Sequence, residues 1–243
     1  MAYRFTEDES MKIAGLQKNS MVDYPGKLAA VVFTQGCNMN CGYCHNRCLI
    51  GSEQKHEVID EEYVLSFLQK RRGLLDGVVV SGGEPTLQKD LEGFLARVRG
   101  MGYQLKLDTN GTHPELLRQI IDHDLVDYVA MDIKAPLCKY RQVCCSPVDT
   151  RKLCESITIL KAGRVDYEFR TTYTPELNDD DLKDITHTIK GAQKYVLQQY
   201  REVDEKEGLY TGVVEKRSIL RSIIEEMLGS VGALQFRGEF GKI

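Results

Sequence analysis

Two hydrophobic periods alternate along the chain from about Lys27 onward. Short, nearly continuous apolar runs predict buried strands at 28–34 (LAAVVFT), 77–83 (GVVVSGG), 103–111 (YQLKLDTNG), 125–134 (LVDYVAMDIK), 165–173 (VDYEFRTTY) and 194–200 (KYVLQQY). Between them, apolar residues recur at helical spacing: Tyr63, Val64, Phe67 and Leu68; Leu91, Phe94, Leu95 and Val98; Leu116, Leu117, Ile120 and Ile121; Leu153, Ile157 and Leu160; Leu182, Ile185 and Ile189. A last amphipathic stretch carries Ile219, Leu220, Ile223, Ile224, Met227 and Leu228, with the run ALQFRGEF beyond it. Successive β/α units imply a parallel sheet with helices packed outside it.

The polar residues then decide between a flat sheet and a curved one. Each apolar run ends in residues too polar or too small to be there for packing. The first leads into a cysteine-rich loop, the second into Ser81-Gly82-Gly83-Glu84-Pro85, and the third into Asp108-Thr109-Asn110-Gly111. The fourth ends at Asp132 and Lys134, and the fifth at Arg170. In a parallel α/β fold these positions share the rim at the carboxyl ends of the strands, where active sites are built. A common centre for so many strand ends favours an α/β fold of the partial (β/α)6 TIM-like barrel type. Taken singly, the same residues have plainer readings. DTNG is good turn chemistry, GGEP suits a helix start with Pro at its first position, and Asp132 with Lys134 or Arg170 makes an ordinary rim ion pair.

Composition narrows the function class. A hydrophobic fraction of 42% is that of a globular protein, and a net charge of −4 argues against a nucleic-acid-binding surface. No run approaches the ~18 apolar residues of a membrane span. The start, MAYRFTEDES, is acidic and lacks the apolar core of a secretory signal. These features point to the cytoplasm, where thiols stay reduced and a disulfide framework is disfavoured. No linker or repeat interrupts the chain, so residues 11–243 read as one domain behind an extension at 1–10.

Within QGCNMNCGYCHNRC, four of the chain's eight cysteines fall into twelve residues. Cys37, Cys41 and Cys44 have the spacing C-x3-C-x2-C. Structural zinc sites usually draw their ligands as two separated pairs, and no second pair accompanies this loop. A 4Fe–4S cubane presents more widely spaced corners, so one loop can wrap three of them and leave the fourth iron open. Cys48 packs in the following loop or stands as a spare thiol.

C-x3-C-x2-C after the first strand, with GGEP after the second, resembles the radical S-adenosylmethionine (SAM) superfamily. VDYPGKLAAVVFTQGCNMNCGYCHN, VVVSGGEPTLQ, LKLDTNGTHPELL and VDYVAMDIKAPL together are similar to the glycyl-radical-enzyme activating proteins. VDYPGK resembles the branch that activates anaerobic ribonucleoside-triphosphate reductase more than the pyruvate formate-lyase branch. The resemblance, which starts at about Met11, implies a 4Fe–4S cluster held by Cys37, Cys41 and Cys44. It further implies reductive cleavage of SAM and abstraction of a glycine hydrogen atom in a partner enzyme, with a flavodoxin or ferredoxin as electron donor.

The same resemblance implies roles for residues around SAM. Gly82 and Gly83 would admit its methionyl group, Glu84 would face its ammonium, and Tyr43 and His45 its adenine. Asp108 and Asp132, with backbone carbonyls near Thr109 and Ala130, would hold a monovalent cation beside the SAM carboxylate. Lys134 and Arg170 would add positive charge there, and Gln198, Gln199 or Tyr200 would reach the ribose. His113, His123 and His187 take no functional role in this reading. Cys138, Cys144, Cys145 and Cys154 fall outside the resemblance; they are incidental thiols, a redox relay or ligands of a second cluster.

Overall fold

The computed structural model describes residues 10–50, 58–202 and 217–240. These fall into two compact units, the first within Met1–Asn38, Cys48–Thr109 and Glu115–Val129, the second within Met39–Arg47, Asn110–Pro114 and Ala130–Ile243. Of the extension expected at 1–10, only Ser10 is among the described residues.

The first unit is built on strands β1 (Ile13–Ser20), β2 (Ala29–Thr34), β3 (Gly77–Gly82) and β4 (Gln104–Thr109), in that order across the sheet. Helices α1 (Glu61–Lys70), α2 (Leu91–Gly100) and α3 (Pro114–Asp122) alternate with them. β2 and β3 read AAVVFT and GVVVSG because a parallel strand is covered on both faces and needs apolar side chains on each. Their pairing runs without a bulge from Ala29 opposite Gly77 to Thr34 opposite Gly82, so both strands end at the same level. Tyr24, Ala29, Val31 and Val79 form a buried cluster beneath Phe33 and Tyr128. α1 starts at Asp60, whose carboxylate accepts from Glu62 N, and α2 buries Leu91, Phe94, Leu95 and Val98 as its periodicity requires.

Two sequence expectations change here. β1 pairs antiparallel with β2 and does not alternate cleanly: only Ile13 and Ser20 are buried, and register shifts interrupt the pairing. An edge strand without a period of two leaves no hydrophobic signature. On α1, Tyr63 is exposed and Leu65 is buried in its stead, so the buried stripe runs through Val64, Leu65 and Leu68.

The second unit takes in the end of β5 (Tyr128–Asp132), then β6 (Asp166–Tyr173), β7 (Tyr195–Gln199) and β8 (Leu234–Arg237) in sheet order. The short helix α4 (Tyr140–Val143) precedes α5 (Thr150–Lys161), α6 (Asp179–Thr188) and α7 (Arg221–Ser230). α6 opens with a reciprocal capping box between Asn178 and Asp181. On α7, Ile223, Ile224 and Met227 are buried, whereas Leu228 and the N-cap residue Leu220 are exposed. β6 continues to Tyr173, so Arg170 sits in mid-strand opposite Val196 rather than at the strand end.

Glu168 on β6 is fully buried and ties the unit together. Its carboxylate is bridged by Arg237 of β8 at 2.9 Å and Lys194 at 3.0 Å. Burial alone would raise its pKa, but the charges of Arg237, Lys194 and Arg170 outweigh burial and hold it below the ordinary carboxylate value. A depressed folded-state pKa stabilises the fold above the ordinary value of 4.5 and loses that contribution as pH falls through the lowered one. Glu168→Gln should therefore cost about 3 kcal/mol at neutral pH, because two cations lose their counter-charge. Urea denaturation checks the figure, and the difference from wild type should shrink in acid.

Candidate active site

In the first unit, the turn after β3 is locked onto the root of the cysteine loop. Gly83 N donates to Thr34 O at 2.9 Å and Glu84 N to Gly36 O at 2.8 Å. Gln88, nearly buried, takes a hydrogen bond from Lys12 N and donates from Nε2 to Gln35 O at 2.7 Å. Gly36 N donates in turn to Leu49 O. A Cβ at Gly82 would overlap the backbone of Thr34, and one at Gly83 the carbonyl of Gly36. Gly82 also has φ +115, a conformation open to glycine and rarely to other residues. Both glycines are thus demanded by the seam between two strand ends, whatever else approaches the turn.

Glu84 is 1% exposed. Its Oε1 accepts from Thr86 N at 3.1 Å, Thr86 Oγ1 at 2.6 Å and Thr109 Oγ1 at 2.7 Å, which joins the turn to the end of β4. Beside them Asp108 Oδ1 accepts from Lys106 Nζ at 2.5 Å and Oδ2 from Ser81 Oγ at 3.0 Å. Lys106, which sequence reasoning passed over, is 2% exposed. Its signal was present: two residues apart on a strand, Lys106 and Asp108 share the face opposite Leu105 and Leu107. Cys37, partly buried, begins the cysteine loop in this unit.

The second unit holds the rest of that loop. Asn40 N donates to Cys144 O and to Ser146 Oγ, both at 3.0 Å, Cys44 N closes a turn on Cys41 O, and Arg47 Nη1 donates to the same carbonyl. Cys41 and Cys144 are both buried and hydrogen-bonded through their thiols. That bond, with Lys134 nearby, holds the Cys41 thiol below its ordinary pKa, while the same bond and burial push Cys144 up. Burial raises Cys44.

Asp132 is flanked by cations, Arg170 Nε at 2.8 Å on Oδ1 and Lys134 Nζ at 3.3 Å on Oδ2. The backbone N of Lys134 donates to the hydroxyl of buried Tyr140, and its ammonium lies 5.9 Å from the ring centroid of Tyr43. Burial pushes the Tyr43 phenol up against the opposing pull of Lys134. Burial would lower Lys134, but Asp132, Tyr43 and the two cysteines raise it, so it stays charged. His45 is exposed and hydrogen-bonds the backbone at Arg201, just past β7. Ala130 is buried in mid-strand.

Of the three candidates at the end of β7, Gln199 stands out. Its Oε1 accepts from Glu239 N at 2.7 Å, which fixes the orientation of the amide, and its buried Nε2 has no partner among the described residues. An unpaired buried donor is an invitation to a ligand acceptor.

The eight cysteines form no disulfide, and only Cys144 of the later four is buried; Cys138 and Cys145 are exposed and Cys154 partly so. Among the described residues no three His, Cys, Asp or Glu side chains converge as ligands of a single ion. The chemistry of the loop, three thiols within eight residues, suits an iron–sulfur cluster, whose corners stand wider than one ion's ligands.

The Radical SAM superfamily profile matches residues 31–189. The chain belongs to that superfamily. It is a radical SAM enzyme, and the family works with a 4Fe–4S cluster and SAM. The parallel α/β class is the one read from the sequence, and the partial-barrel assignment comes with the family. MJ1227 of Methanocaldococcus jannaschii, assigned as a glycyl-radical enzyme activating enzyme, is 38% identical over 79% of this chain and 81% of its own. Pyruvate formate-lyase 1-activating enzyme of Escherichia coli is 26% identical over 83% and 85%. Streptococcus suis SuiB bound to S-adenosylmethionine shares the fold at 14% identity with a TM-score of 0.63, over 84% of this chain and 48% of that longer one. Among the described residues no helix is long and apolar enough to cross a membrane.

The seam makes its own prediction for this enzyme. Gly83→Ala should destabilise the fold by about 3 kcal/mol, since the new methyl meets a backbone carbonyl that cannot rotate away. Chemical denaturation measures it; Gly100→Ala, where a Cβ meets open space, is the control.

Proposed function

We propose that this radical SAM enzyme installs a glycyl radical on a partner enzyme, and that the partner is an anaerobic ribonucleoside-triphosphate reductase. The observation that carries the activating role is the 38% identity to MJ1227 along four fifths of both chains. VDYPGK supports the choice of partner. The eight cysteines, none in a disulfide, suit a cytoplasmic setting, and a flavodoxin or ferredoxin would deliver the electron.

Cys37, Cys41 and Cys44 would hold the cluster; they lie within eight residues of one loop. When bound, the cluster and SAM supply the one-electron cleavage that ends in hydrogen-atom abstraction, while the chain supplies binding, orientation and charge. Gly82 and Gly83 keep the turn after β3 close to the root of the loop, and without a Cβ they would let the methionyl group approach the backbone. Glu84 would face its ammonium. Tyr43 and His45 would lie against the adenine, and Gln199 would offer its Nε2 to the ribose. Lys134 and Arg170 would place positive charge for the SAM carboxylate; the backbone carbonyls near Thr109 and Ala130 belong to the expected cation site with Asp108 and Asp132. At Asp108 and Asp132, where a monovalent cation is expected, side chains of the chain already supply positive charge.

The test is direct. Anaerobically reduced protein, mixed with SAM and an anaerobic ribonucleoside-triphosphate reductase, should produce a glycyl doublet by electron paramagnetic resonance. SAM cleavage without that signal, or a signal only with a pyruvate formate-lyase-type partner, would overturn the assigned target. Cys41→Ala should lose iron and sulfide in stoichiometric analysis. Gln199→Leu should retain the cluster and weaken SAM binding about tenfold, the cost of one lost hydrogen bond at a buried donor.

A further inference from the structure

Asp108 presents neither carboxylate oxygen bare. Oδ1 accepts from the Lys106 ammonium at 2.5 Å and Oδ2 from the Ser81 hydroxyl at 3.0 Å. Lys106 is 2% exposed and Asp108 15%. Lysine is almost never buried without a partner, so its presence in the interior of β4 calls for a charge reason. Asp108 is that reason: a carboxylate only 15% exposed needs compensation, and a cation fixed to the chain provides it with no ion to bind. A second monovalent ion at Asp108 would meet the ammonium as a like charge and would have to displace it or the Ser81 hydroxyl.

We infer that Lys106 is a built-in counter-charge, a positioning residue whose ammonium takes the place at Asp108 otherwise expected of a monovalent cation, so that this enzyme binds SAM without one. The inference rests on Asp108 belonging to the SAM site.

The test uses the full-length, anaerobically cluster-loaded protein and measures SAM binding by calorimetry. Potassium is compared with tetramethylammonium at equal ionic strength. Wild type should change its SAM Kd by less than about twofold, the absence of coupling. Lys106→Met should bind SAM about tenfold more weakly in tetramethylammonium and recover as potassium is added. A wild type that needs potassium would overturn the inference, and so would a folded Lys106→Met with wild-type affinity and no response. If Lys106→Met does not fold, thallium-205 resonance on wild type decides. A bound thallium ion displaced by potassium refutes a built-in charge, and its absence through millimolar titration supports it. A wild type that binds no SAM in any salt would sink the SAM site itself, while the thallium titration still answers for Lys106.

Discussion

Two backbone hydrogen bonds, from Gly83 N to Thr34 O and from Glu84 N to Gly36 O, join the ends of β2 and β3. Each needs the two chains closer than any Cβ permits, which is why glycine stands at 82 and 83. The register then sets the geometry beyond this seam. Because Thr34 pairs with Gly82 without a bulge, the cysteine loop and the Gly-Gly-Glu turn leave the sheet at one level. Glu84 is thereby delivered to Thr109 at the end of the next strand, and Gln88 to Gln35 at the root of the loop. The turn serves first as a fastener, and any role toward SAM is built on that.

Charge is handled in the same fixed manner. Asp108 and Asp132 each meet cations of the chain itself: Lys106 at Asp108, Arg170 and Lys134 at Asp132. Away from the site, Glu168 obeys the same rule with Lys194 and Arg237. Side chains paired this way are held in place before a charged ligand arrives, and such preorganisation is a contribution a protein makes to cofactor chemistry. A mobile ion would make binding depend on the surrounding salt; a lysine does not.

Much of this was legible in the residues. The strands at β2, β3 and β4 are plain from uninterrupted Val and Leu runs, and the cysteine spacing at a strand end, with GGEP after the next strand, named the chemistry. The parts that escaped share a cause. β1 is an edge strand with two buried residues, so it has no period to read. Tyr63, Leu220 and Leu228 are apolar at plausible spacing yet exposed, because apolar side chains also make up much of any surface. Arg170 looked like a strand terminus since a charged residue there breaks an apolar run, but β6 carries on through Thr171, Thr172 and Tyr173. Lys106 drew no reading, although it shares a strand face with Asp108, and the structure shows that side chain buried.

Cys144 shows most clearly why motif and structure differ. Outside the C-x3-C-x2-C pattern and next to another cysteine, it read as an incidental thiol, part of a redox relay or a ligand of a second cluster. In the fold, the carbonyl of Cys144 receives Asn40 N, its thiol meets that of Cys41, and Tyr140 one turn earlier receives the backbone N of Lys134. The segment 140–146 is thus a brace that sets the second half of the cysteine loop against Lys134 in one hydrogen-bonded piece. The brace needs a short helix and a buried side chain at 144, and a thiol is among the small, readily buried groups that fit. Cys145, adjacent and exposed with φ +48, turns the chain out of the helix and shares none of these contacts. Adjacent cysteines therefore do different jobs here: one is packed into the support of the loop, the other sits on a turn.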